Sequence, residues 1–308
     1  MVSKFCILGP RHRYDQVLWL LDEAKKLFDR AVYVPIANTY IANTKNGVDV
    51  MYKKGALSSF DVILPRLPRT YRNYGYIATK LLSGKVVLPF KPESVYITHN
   101  KFLTLVALDR ANVPIPKTYL ASTRKAIERM LGKADYPVVI KLLYGSLGTG
   151  VMFAETKKSA IPLVDVLESM KEPVFVEEFL ENPGEDIRAL VIGDEVVASM
   201  KRTSKGGDMR ANIGAGGIGK KIKLSSEMQN LAVSTAKALK LGIAGIDIIE
   251  TANGPFIIEA NVNVHFEGIT KTTGVNVAKR MVEYMREKYD AREKKDSGLG
   301  FWDIVEGY

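Results

Sequence analysis

The sequence contains little of what defines several protein classes. Its single cysteine, Cys6, cannot form an internal disulfide, which is typical of a protein from a reducing compartment. No apolar run approaches the ~18 residues that a membrane-spanning helix needs. The amino terminus also lacks the long apolar segment that directs secretion. These absences predict a cytoplasmic protein without a membrane partner.

Histidine and glutamine are also scarce. The three histidines, His12, His99 and His265, are widely separated and give no indication of a metal cluster or of a nucleophile paired with histidine. Glutamine occurs only as Gln16 and Gln229. The depletion of this heat-labile side chain, beside abundant lysine and glutamate, suggests a thermophilic source.

The 308 residues are enough for two domains, and the basic residues are concentrated in the first third of the chain. The formal net charge is +10, and residues 1–95 hold 15 basic and 7 acidic side chains. Such an excess attracts an anionic partner, although solubility alone also explains it. Arg66, after the apolar run 61–64, is a candidate anion contact, and an ordinary surface arginine is the alternative.

Strand-like and helix-like patterns alternate along the chain. A buried strand at 4–9, helical spacing over 17–28, and apolar runs at 31–36 and 61–64 predict a small parallel α/β unit over 1–95. Further patterns predict a helix over 101–111, a hairpin over 185–201, a helix over 225–241, strands at 243–250 and 255–261, a final helix over about 275–288 and a tail from 290.

A glycine-rich loop follows the apolar segment that ends in Lys141. Gly145, Gly148 and Gly150 allow backbone N–H groups to approach an anion closely, and the lysine supplies a positive charge. The loop has neither the GK[ST] ending of a Walker A motif nor the strand-to-helix context of a Rossmann fingerprint. A plain hairpin is the alternative.

An acidic pair, Glu177-Glu178, follows the apolar run 173–176. A strand that ends in this way can offer backbone groups to a nucleobase and carboxylates to ribose hydroxyls. A solvated strand end is the alternative.

Asp247, Glu259 and Asn261 lie in the apolar segments IAGIDIIE and PFIIEAN. Glu259 and Asn261 share one face of a strand because they are two residues apart, and Asp247 joins them if the two strands pair. Two carboxylates and an amide oxygen suit Mg²⁺. Acidic side chains in such segments are costly to bury unpaired, so a buried salt bridge is the alternative.

A basic, glycine-rich strip runs from 201 to 212 with the sequence KRTSKGGDMRAN, and more glycines follow. A flexible cationic loop suits closure over phosphates and over a developing acyl phosphate. An RNA-binding loop is the rival interpretation, but no aromatic residues for base stacking stand between the basic ones.

Taken in order, these motifs resemble the ATP-grasp superfamily, and specifically its RimK-like branch of glutamate ligases. The resemblance runs from FDVILPRL at 60–67 through Lys101, the glycine loop, EEFL, EDIR, the basic strip, GIDII and IIEAN to EGITKTTGVNVA at 267–278. It implies an α/β (α+β ATP-grasp) fold with a small N-terminal parallel α/β lobe on the acceptor side (1–95). Central (96–185) and C-terminal (186–289) lobes would clamp ATP, and a tail (290–308) follows.

The resemblance also implies roles for individual residues. Those expected to contact ATP are Lys101, Lys141, Gly145, Ser146, Gly148, Gly150, Glu177, Glu178, Phe179, Leu180, Asp186 and Asn212. Those expected to bind Mg²⁺ or Mn²⁺, as two ions, are Asp247, Glu259 and Asn261. Arg210 and Lys201 are the expected catalytic residues, and Arg66, Arg188 and Asn263 are candidate substrate contacts.

The sequence departs from the family pattern after Asn261. RimK relatives continue with a Ser-Pro-Gly type of turn, whereas this chain reads Val-Asn-Val-His-Phe-Glu-Gly. Asn263 is a possible extra polar contact, and His265 either faces the acceptor pocket or caps a turn. The departure bears on the identity of the acceptor rather than on the use of ATP.

The resemblance implies an ATP- and Mg²⁺-dependent carboxylate–amine ligase that acts through an acyl phosphate. We expect it to add L-glutamate or another amino acid to an acidic acceptor, such as a ribosomal protein tail, a carrier protein or a coenzyme. We also expect a homo-oligomer, with no nucleic acid as primary partner. The alternative is a non-catalytic nucleotide- or RNA-binding protein on the same fold, against which the two lysines and the metal-binding set argue.

Overall fold

The computed structural model describes residues 2–11, 14–45, 47–143, 150–181, 184–204 and 217–298. The chain forms two compact units. The first comprises Met1–Val95, His265–Glu267 and the described residues from Asn276 onward, and the second comprises Tyr96–Val264 and Gly268–Val275. No helix in these described ranges is both long and apolar enough to span a membrane.

The first unit contains a parallel sheet and a small antiparallel sheet. Its elements up to residue 98 are β1 (Lys4–Gly9), α1 (Asp15–Leu27), β2 (Arg30–Pro35), β3 (Thr39–Thr44), β4 (Gly47–Tyr52), β5 (Gly55–Ala56), β6 (Val62–Pro65), α2 (Arg72–Leu82) and α3 (Pro92–Thr98), the last of which crosses into the second unit. The parallel sheet has the order β2-β1-β6. The predicted parallel α/β unit is therefore confirmed, with Cys6 fully buried on its central strand.

The antiparallel sheet of the first unit, in the order β3-β4-β5, was not predicted from the sequence. Its strands, TYIANT and GVDVMY, are mostly half-buried or exposed, and they mix polar and apolar residues without a continuous apolar run or a strict two-residue alternation. Short strands of this kind owe their stability to pairing rather than to burial, so hydrophobic periodicity does not reveal them.

The second unit contains two antiparallel sheets. The elements that follow α3 are α4 (Lys101–Asp109), β7 (Thr118–Ala121), α5 (Arg124–Leu131), β8 (Val138–Lys141), β9 (Val151–Ala154), α6 (Lys157–Ser169), β10 (Val174–Glu178), β11 (Glu185–Ile192), β12 (Glu195–Thr203), β13 (Ile218–Lys221), α7 (Ser226–Ala238), β14 (Ile243–Thr251), β15 (Gly254–Asn261), α8 (Glu267–Thr273) and α9 (Val277–Gly298). The first residue of α8 and the whole of α9 belong to the first unit. The central sheet has the order β7-β10-β8-β9, and the C-terminal sheet has the order β13-β12-β11-β14-β15.

The two faces of the central sheet are covered by different elements. Val174 and Val176 of β10 point into a core built with Ile127 of α5 and Val164 of α6. The opposite face carries Phe175, which packs with Leu105 of α4 and, edge to face, with Phe102 at 5.8 Å between ring centroids. Because side chains alternate along a strand, Glu177 lies on this second face, away from the helices of the first.

The C-terminal sheet contains both predicted strand pairs. β11 and β12 form the predicted hairpin, which turns at Gly193 with a φ of 62°. β14 and β15 pair in antiparallel fashion with Asp247 opposite Glu259, and a bulge follows Asp247. The strand pairing on which the sequence argument for a shared carboxylate face depended is therefore present.

Helix α9 is longer than the sequence pattern predicted. It continues through Gly298, whereas we expected a helix end near 288 and a separate tail from 290. The segment after 288 is rich in good helix formers and contains no proline, and Arg286 pairs with Asp290 at 2.9 Å, one turn later. Our division placed residues 276–289 with the C-terminal lobe, but in the structure they belong to the first unit, where Arg286 Nη1 donates to the carbonyl of Leu27 at 2.8 Å.

Phe175 is a fully buried aromatic side chain that packs between the central sheet and α4. Replacing it with alanine removes a buried aromatic ring and leaves a cavity. We expect Phe175→Ala to lower the free energy of unfolding by about 3–5 kcal/mol. The measurement is urea denaturation followed by circular dichroism. Val166→Ala on the exposed side of α6 is the control, and an equal loss in both variants would contradict this packing.

Candidate active site

The central sheet presents a lysine–glutamate pair on the face that carries Phe175. Lys141 ends β8, and its ammonium group forms a short ion pair with Oε1 of Glu177 on the neighbouring strand β10. The second oxygen of this carboxylate, Oε2, is buried and has no hydrogen-bond partner among the described residues. A buried, unsatisfied carboxylate oxygen indicates a position where a ligand group donates a hydrogen bond.

Two aromatic rings flank this pair on the same face. Phe153 of β9 and Phe179, just after β10, meet edge to face at 5.2 Å between ring centroids, and both are half-buried. Leu180 follows Phe179 and is also half-buried. An apolar aromatic edge beside a charged pair suits a ligand that is flat and apolar at one end and ionic at the other, such as a nucleotide.

Glu178 and Gly150 have backbone roles. Oε1 of Glu178 accepts a hydrogen bond from the N–H of Lys117 at 2.8 Å, so this carboxylate holds the start of β7. Gly150 has a φ of 76°, and a Cβ there would lie 2.4 Å from Leu142 Cδ1, so only glycine fits. The predicted loop residues Gly145, Ser146 and Gly148 lie outside the described residues.

The C-terminal sheet brings the predicted metal-binding residues onto one face. Asp247 on β14 stands directly opposite Glu259 on β15, and Asn261 stands opposite Gly245. Arg188 of β11 is opposite Asp247 on its other side. The same face therefore carries two carboxylates, an amide and a guanidinium across three adjacent strands.

Asp247 lies in a buried network of two carboxylates and two guanidiniums. Arg188 grips its carboxylate with two nitrogens, of which Nη2 is 2.9 Å from Oδ2, and Nη2 of Arg202 lies 2.9 Å from Oδ1. Arg202 also grips Asp186 with two nitrogens, one of them 2.7 Å from Oδ2. Arg202 thus bridges the predicted nucleotide contact Asp186 and the predicted metal ligand Asp247.

The network shifts the pKa values of its two carboxyls in opposite directions. Burial on its own would raise the pKa of Asp247, but Arg188 and Arg202 outweigh burial and hold it below its usual value. Burial raises the pKa of Asp186, and the neighbouring Asp247 adds to this, while Arg202 only partly offsets both. Folding therefore favours the ionised form of Asp247 and disfavours that of Asp186.

Lys101 connects the start of α4 to the metal-binding strand. Its Nζ lies 3.0 Å from Oε2 of Glu259, although the two residues are 158 positions apart in the sequence. Asn100 caps this helix, because its Oδ1 accepts from the N–H of Leu103 at 3.1 Å. The cap fixes the first turn of α4, and with it the backbone from which Lys101 projects.

The donor chemistry around Asp247 and Glu259 fits a hard divalent cation. No three His, Cys, Asp or Glu side chains of the described ranges could hold a metal by themselves. The candidate set instead combines two carboxylates with the amide of Asn261, and Mg²⁺ typically takes few protein ligands and fills its remaining positions with water and phosphate oxygens. Asp247 uses three of its roughly four lone-pair positions on arginine nitrogens, so capacity remains for one further contact.

Several predicted residues lie elsewhere or outside the described ranges. Strand register places Lys201, which pairs with Glu185 at 2.5 Å, on the opposite face of the sheet from Asp186 and Arg202. Arg188 faces Asp247, and Asn263 is half-buried two residues beyond Asn261. Arg210 and Asn212 lie outside the described residues.

Arg66 belongs to the first unit and is buried, with 6% of its surface exposed. Its guanidinium lies over the ring of Phe266 at 5.4 Å, and burial lowers the pKa of Arg66 to about 10. Gln16 anchors the same segment, since its Oε1 accepts from the N–H of Phe266 at 3.0 Å and its Nε2 lies 3.4 Å from Nδ1 of His265.

Phe153 and Arg202 are site residues that were not predicted from the sequence. Phe153 stands in an ordinary strand, VMFA, and only its pairing partner Val139 on β8 shows which face it occupies. Arg202 carried no signal beyond its place in a basic strip. Its role follows from the pairing of β11 with β12, which sets it opposite Asp186.

The two pKa directions lead to a stability prediction. A carboxyl whose pKa is lowered by folding stabilises the folded state at a pH above its unfolded pKa, and this stabilisation is lost as the pH falls. A carboxyl whose pKa is raised by folding destabilises the folded state at high pH, and this destabilisation is relieved as the pH falls. At pH 7 we therefore expect Asp247→Asn to destabilise by about 3–5 kcal/mol, the scale for breaking a buried ion pair, and Asp186→Asn to cost clearly less. Urea denaturation of both variants decides this, and an equal or reversed order would contradict the network.

Comparisons with known proteins agree with this geometry. The family model described as RimK-like ATP-grasp domain matches residues 98–285, more than half of the chain. A protein of Legionella pneumophila named probable alpha-L-glutamate ligase is 37% identical over 246 residues, which cover 78% of this chain and 80% of that protein.

Two solved structures show the same fold at low sequence identity. The RimK domain ATP-grasp protein from Sphaerobacter thermophilus superimposes with a TM-score of 0.72 at 21% identity, covering 92% of this chain and 99% of its own. The ATP-grasp ligase PsnB, solved with its minimal precursor, Mg and ADP, gives a TM-score of 0.70 at 16% identity, covering 94% and 98%. The chain therefore belongs to the RimK-like ATP-grasp family and is a ligase that forms carbon–nitrogen bonds.

Proposed function

We propose that the protein uses ATP to join an amino acid, L-glutamate in the first instance, to a carboxylate of an acidic acceptor. The observation that carries this proposal is the 3.0 Å contact between Lys101 Nζ and Glu259 Oε2. In this contact Lys101 is the predicted phosphate-binding residue and Glu259 is a predicted metal ligand. The name of the Legionella pneumophila relative supports L-glutamate as the added amino acid.

The proposed reaction needs no protein nucleophile. An acceptor carboxylate oxygen attacks the γ-phosphorus of ATP, and the bond to the β-phosphate oxygen breaks to release ADP. The amine then attacks the acyl carbon, the carbon–oxygen bond to phosphate breaks, and the amine loses a proton to give an amide. Such a sequence depends on positioning and charge neutralisation, which suits a site built from buried ion pairs.

Each part of the described site has a task in this proposal. Phe153 and Phe179 flank the base, and Oε2 of Glu177 accepts from a donor of the nucleotide. Lys141 and Lys101 neutralise phosphate oxygens. Arg210, predicted for the acyl phosphate, stays a prediction from the resemblance.

Asp247, Glu259 and Asn261 would hold Mg²⁺ or Mn²⁺. A divalent ion at this position supplies charge stabilisation to phosphate oxygens during transfer. The residues themselves provide hard oxygen donors, and the arginines that grip Asp247 keep its carboxylate ionised and oriented.

The acceptor is proposed to be acidic because the first unit carries most of the excess positive charge of the chain. Arg66 remains our proposed contact in this unit, although its burial restricts it to a ligand group that reaches into the unit. Opposite charges raise the encounter rate of an acceptor and lose their effect as salt screens them over a Debye length of ~10 Å at 0.1 M.

Release of ADP and phosphate tests the proposed function against nucleotide binding without catalysis. We expect steady release of ADP and phosphate with L-glutamate and an acidic acceptor together, and little with either alone. The acceptor is needed to form the acyl phosphate, and the amine of L-glutamate is needed to convert it into the amide. Coupled phosphate detection with a panel of acidic peptides and small acids is the measurement. Nucleotide binding without acceptor-dependent release from any pairing would favour the non-catalytic alternative.

Glu259→Ala tests the metal-binding assignment. We expect this variant to lose turnover while its circular dichroism spectrum stays that of the wild type, because the side chain is at the surface end of the network rather than in the core. Glu250→Ala is the matched control, since Glu250 lies on the paired strand β14 and is exposed. A Glu259→Ala protein with a wild-type kcat would refute the assignment.

A further inference from the structure

Within the described part of the candidate site, the charges of the carboxylates are balanced by cationic side chains of the protein itself. In the C-terminal sheet, three carboxylates are each in contact with at least one cation. The carboxylates are Asp186, Asp247 and Glu259, and the cations are Arg188, Arg202 and Lys101. The central sheet repeats the arrangement with one pair, Glu177 and Lys141.

This balance matters for a bare divalent cation. An ion that approaches Asp247 meets two guanidiniums already bonded to that carboxylate, and at Glu259 it meets an ammonium 3.0 Å from Oε2. Repulsion between a doubly charged ion and these cations is strong in a site that is largely removed from water. Mg²⁺ also gives up its hydration water reluctantly, so the paired carboxylates offer it little net attraction.

The three cations, Lys101, Arg188 and Arg202, differ in how freely their side chains can move. Arg188 and Arg202 are held by two-pronged contacts, and their side chains are 11% and 5% exposed. Among the described residues, Lys101 Nζ makes one ionic contact at the end of a flexible stem, with a glutamate that is 27% exposed. A lysine can exchange one anion for another by rotating its side chain, whereas the forked arginines stay with their carboxylates.

We propose that Lys101, Arg188 and Arg202 act as built-in counter-ions that keep a bare divalent cation off Asp247 and Glu259, so that the metal enters together with the nucleotide. The inference rests on the proposed metal-binding site. The phosphates attract Lys101 away from Glu259 and add negative charge of their own. Metal and nucleotide then raise each other's affinity by the same factor, as linkage requires.

The two types of counter-ion are distinguished by their variants. Arg188→Met removes a fixed cation beside Asp247 and should raise metal affinity without touching the nucleotide. Lys101→Met should raise the affinity for metal alone and at the same time weaken ADP binding, because the proposed phosphate contact is lost. Arg188→Lys retains the charge but loses the two-pronged contact, so its affinity for metal alone should lie between those of the wild type and Arg188→Met.

The test is Mn²⁺ binding, measured by electron paramagnetic resonance of the free ion, on the full chain with and without ADP. We expect the wild type to bind Mn²⁺ at least about tenfold more tightly with ADP, after the Mn²⁺ held by ADP in protein-free solution is subtracted. We expect Arg188→Met to bind Mn²⁺ alone at least about tenfold more tightly than the wild type, because one close cation repels a doubly charged ion by more than the energy that corresponds to tenfold. Lys237→Met on α7 removes an exposed cation of the same unit and should change nothing.

Each remaining outcome has a defined meaning. Unchanged or weaker nucleotide-free Mn²⁺ binding in folded Arg188→Met overturns the proposal. If Arg188→Met does not fold, Lys101→Met decides in its place, and unchanged Mn²⁺ affinity there overturns it equally. Glu259→Gln tests the metal-binding site separately from the counter-ions. If this variant binds Mn²⁺ with ADP as tightly as the wild type, the assignment of Glu259 as a metal ligand is refuted.

Discussion

The need to neutralise carboxylates inside an apolar sheet shapes this molecule more than any other constraint. Asp247 lies on β14 between Ile246 and Ile248, which are both fully buried. An unpaired carboxylate at this position would severely destabilise the fold. Arg188 on β11 and Arg202 on β12 reach it from the next two strands of the sheet, so β11, β12 and β14 must pair in one register. Any slip of one residue would turn a charge towards the wrong face.

The two sheets of the second unit place their charges by the same principle. In each sheet the ionic side chains of the site share one face and alternate with residues that point to the other face, since strand residues alternate in direction. In the central sheet, Val176 faces the helical core while Glu177, the next residue, meets Lys141. Catalytic groups can thus be held on rigid strands without disturbing the cores that support them.

Much of this arrangement could be predicted from the sequence, because strand segments and two-residue spacing are local properties. Glu259 and Asn261 were assigned to one face from their spacing, and the pairing of β14 with β15 brought Asp247 to them. The roles of Arg202 and Phe153 were not predicted, since they depend on the exact residue-by-residue register of β11 with β12 and of β8 with β9, which hydrophobic patterns alone do not define. The length of α9 was missed for a different reason, because charged i,i+4 pairs extend a helix without an apolar pattern.

The most direct test of the account is a crystal structure with ADP and Mn²⁺, using anomalous scattering to locate the metal. The account predicts a manganese peak at Asp247, Glu259 and Asn261, with Lys101 Nζ moved from Glu259 to a phosphate oxygen and both arginines still on Asp247. A manganese ion bound away from these three residues, or Lys101 still paired with Glu259 beside a bound nucleotide, would contradict it.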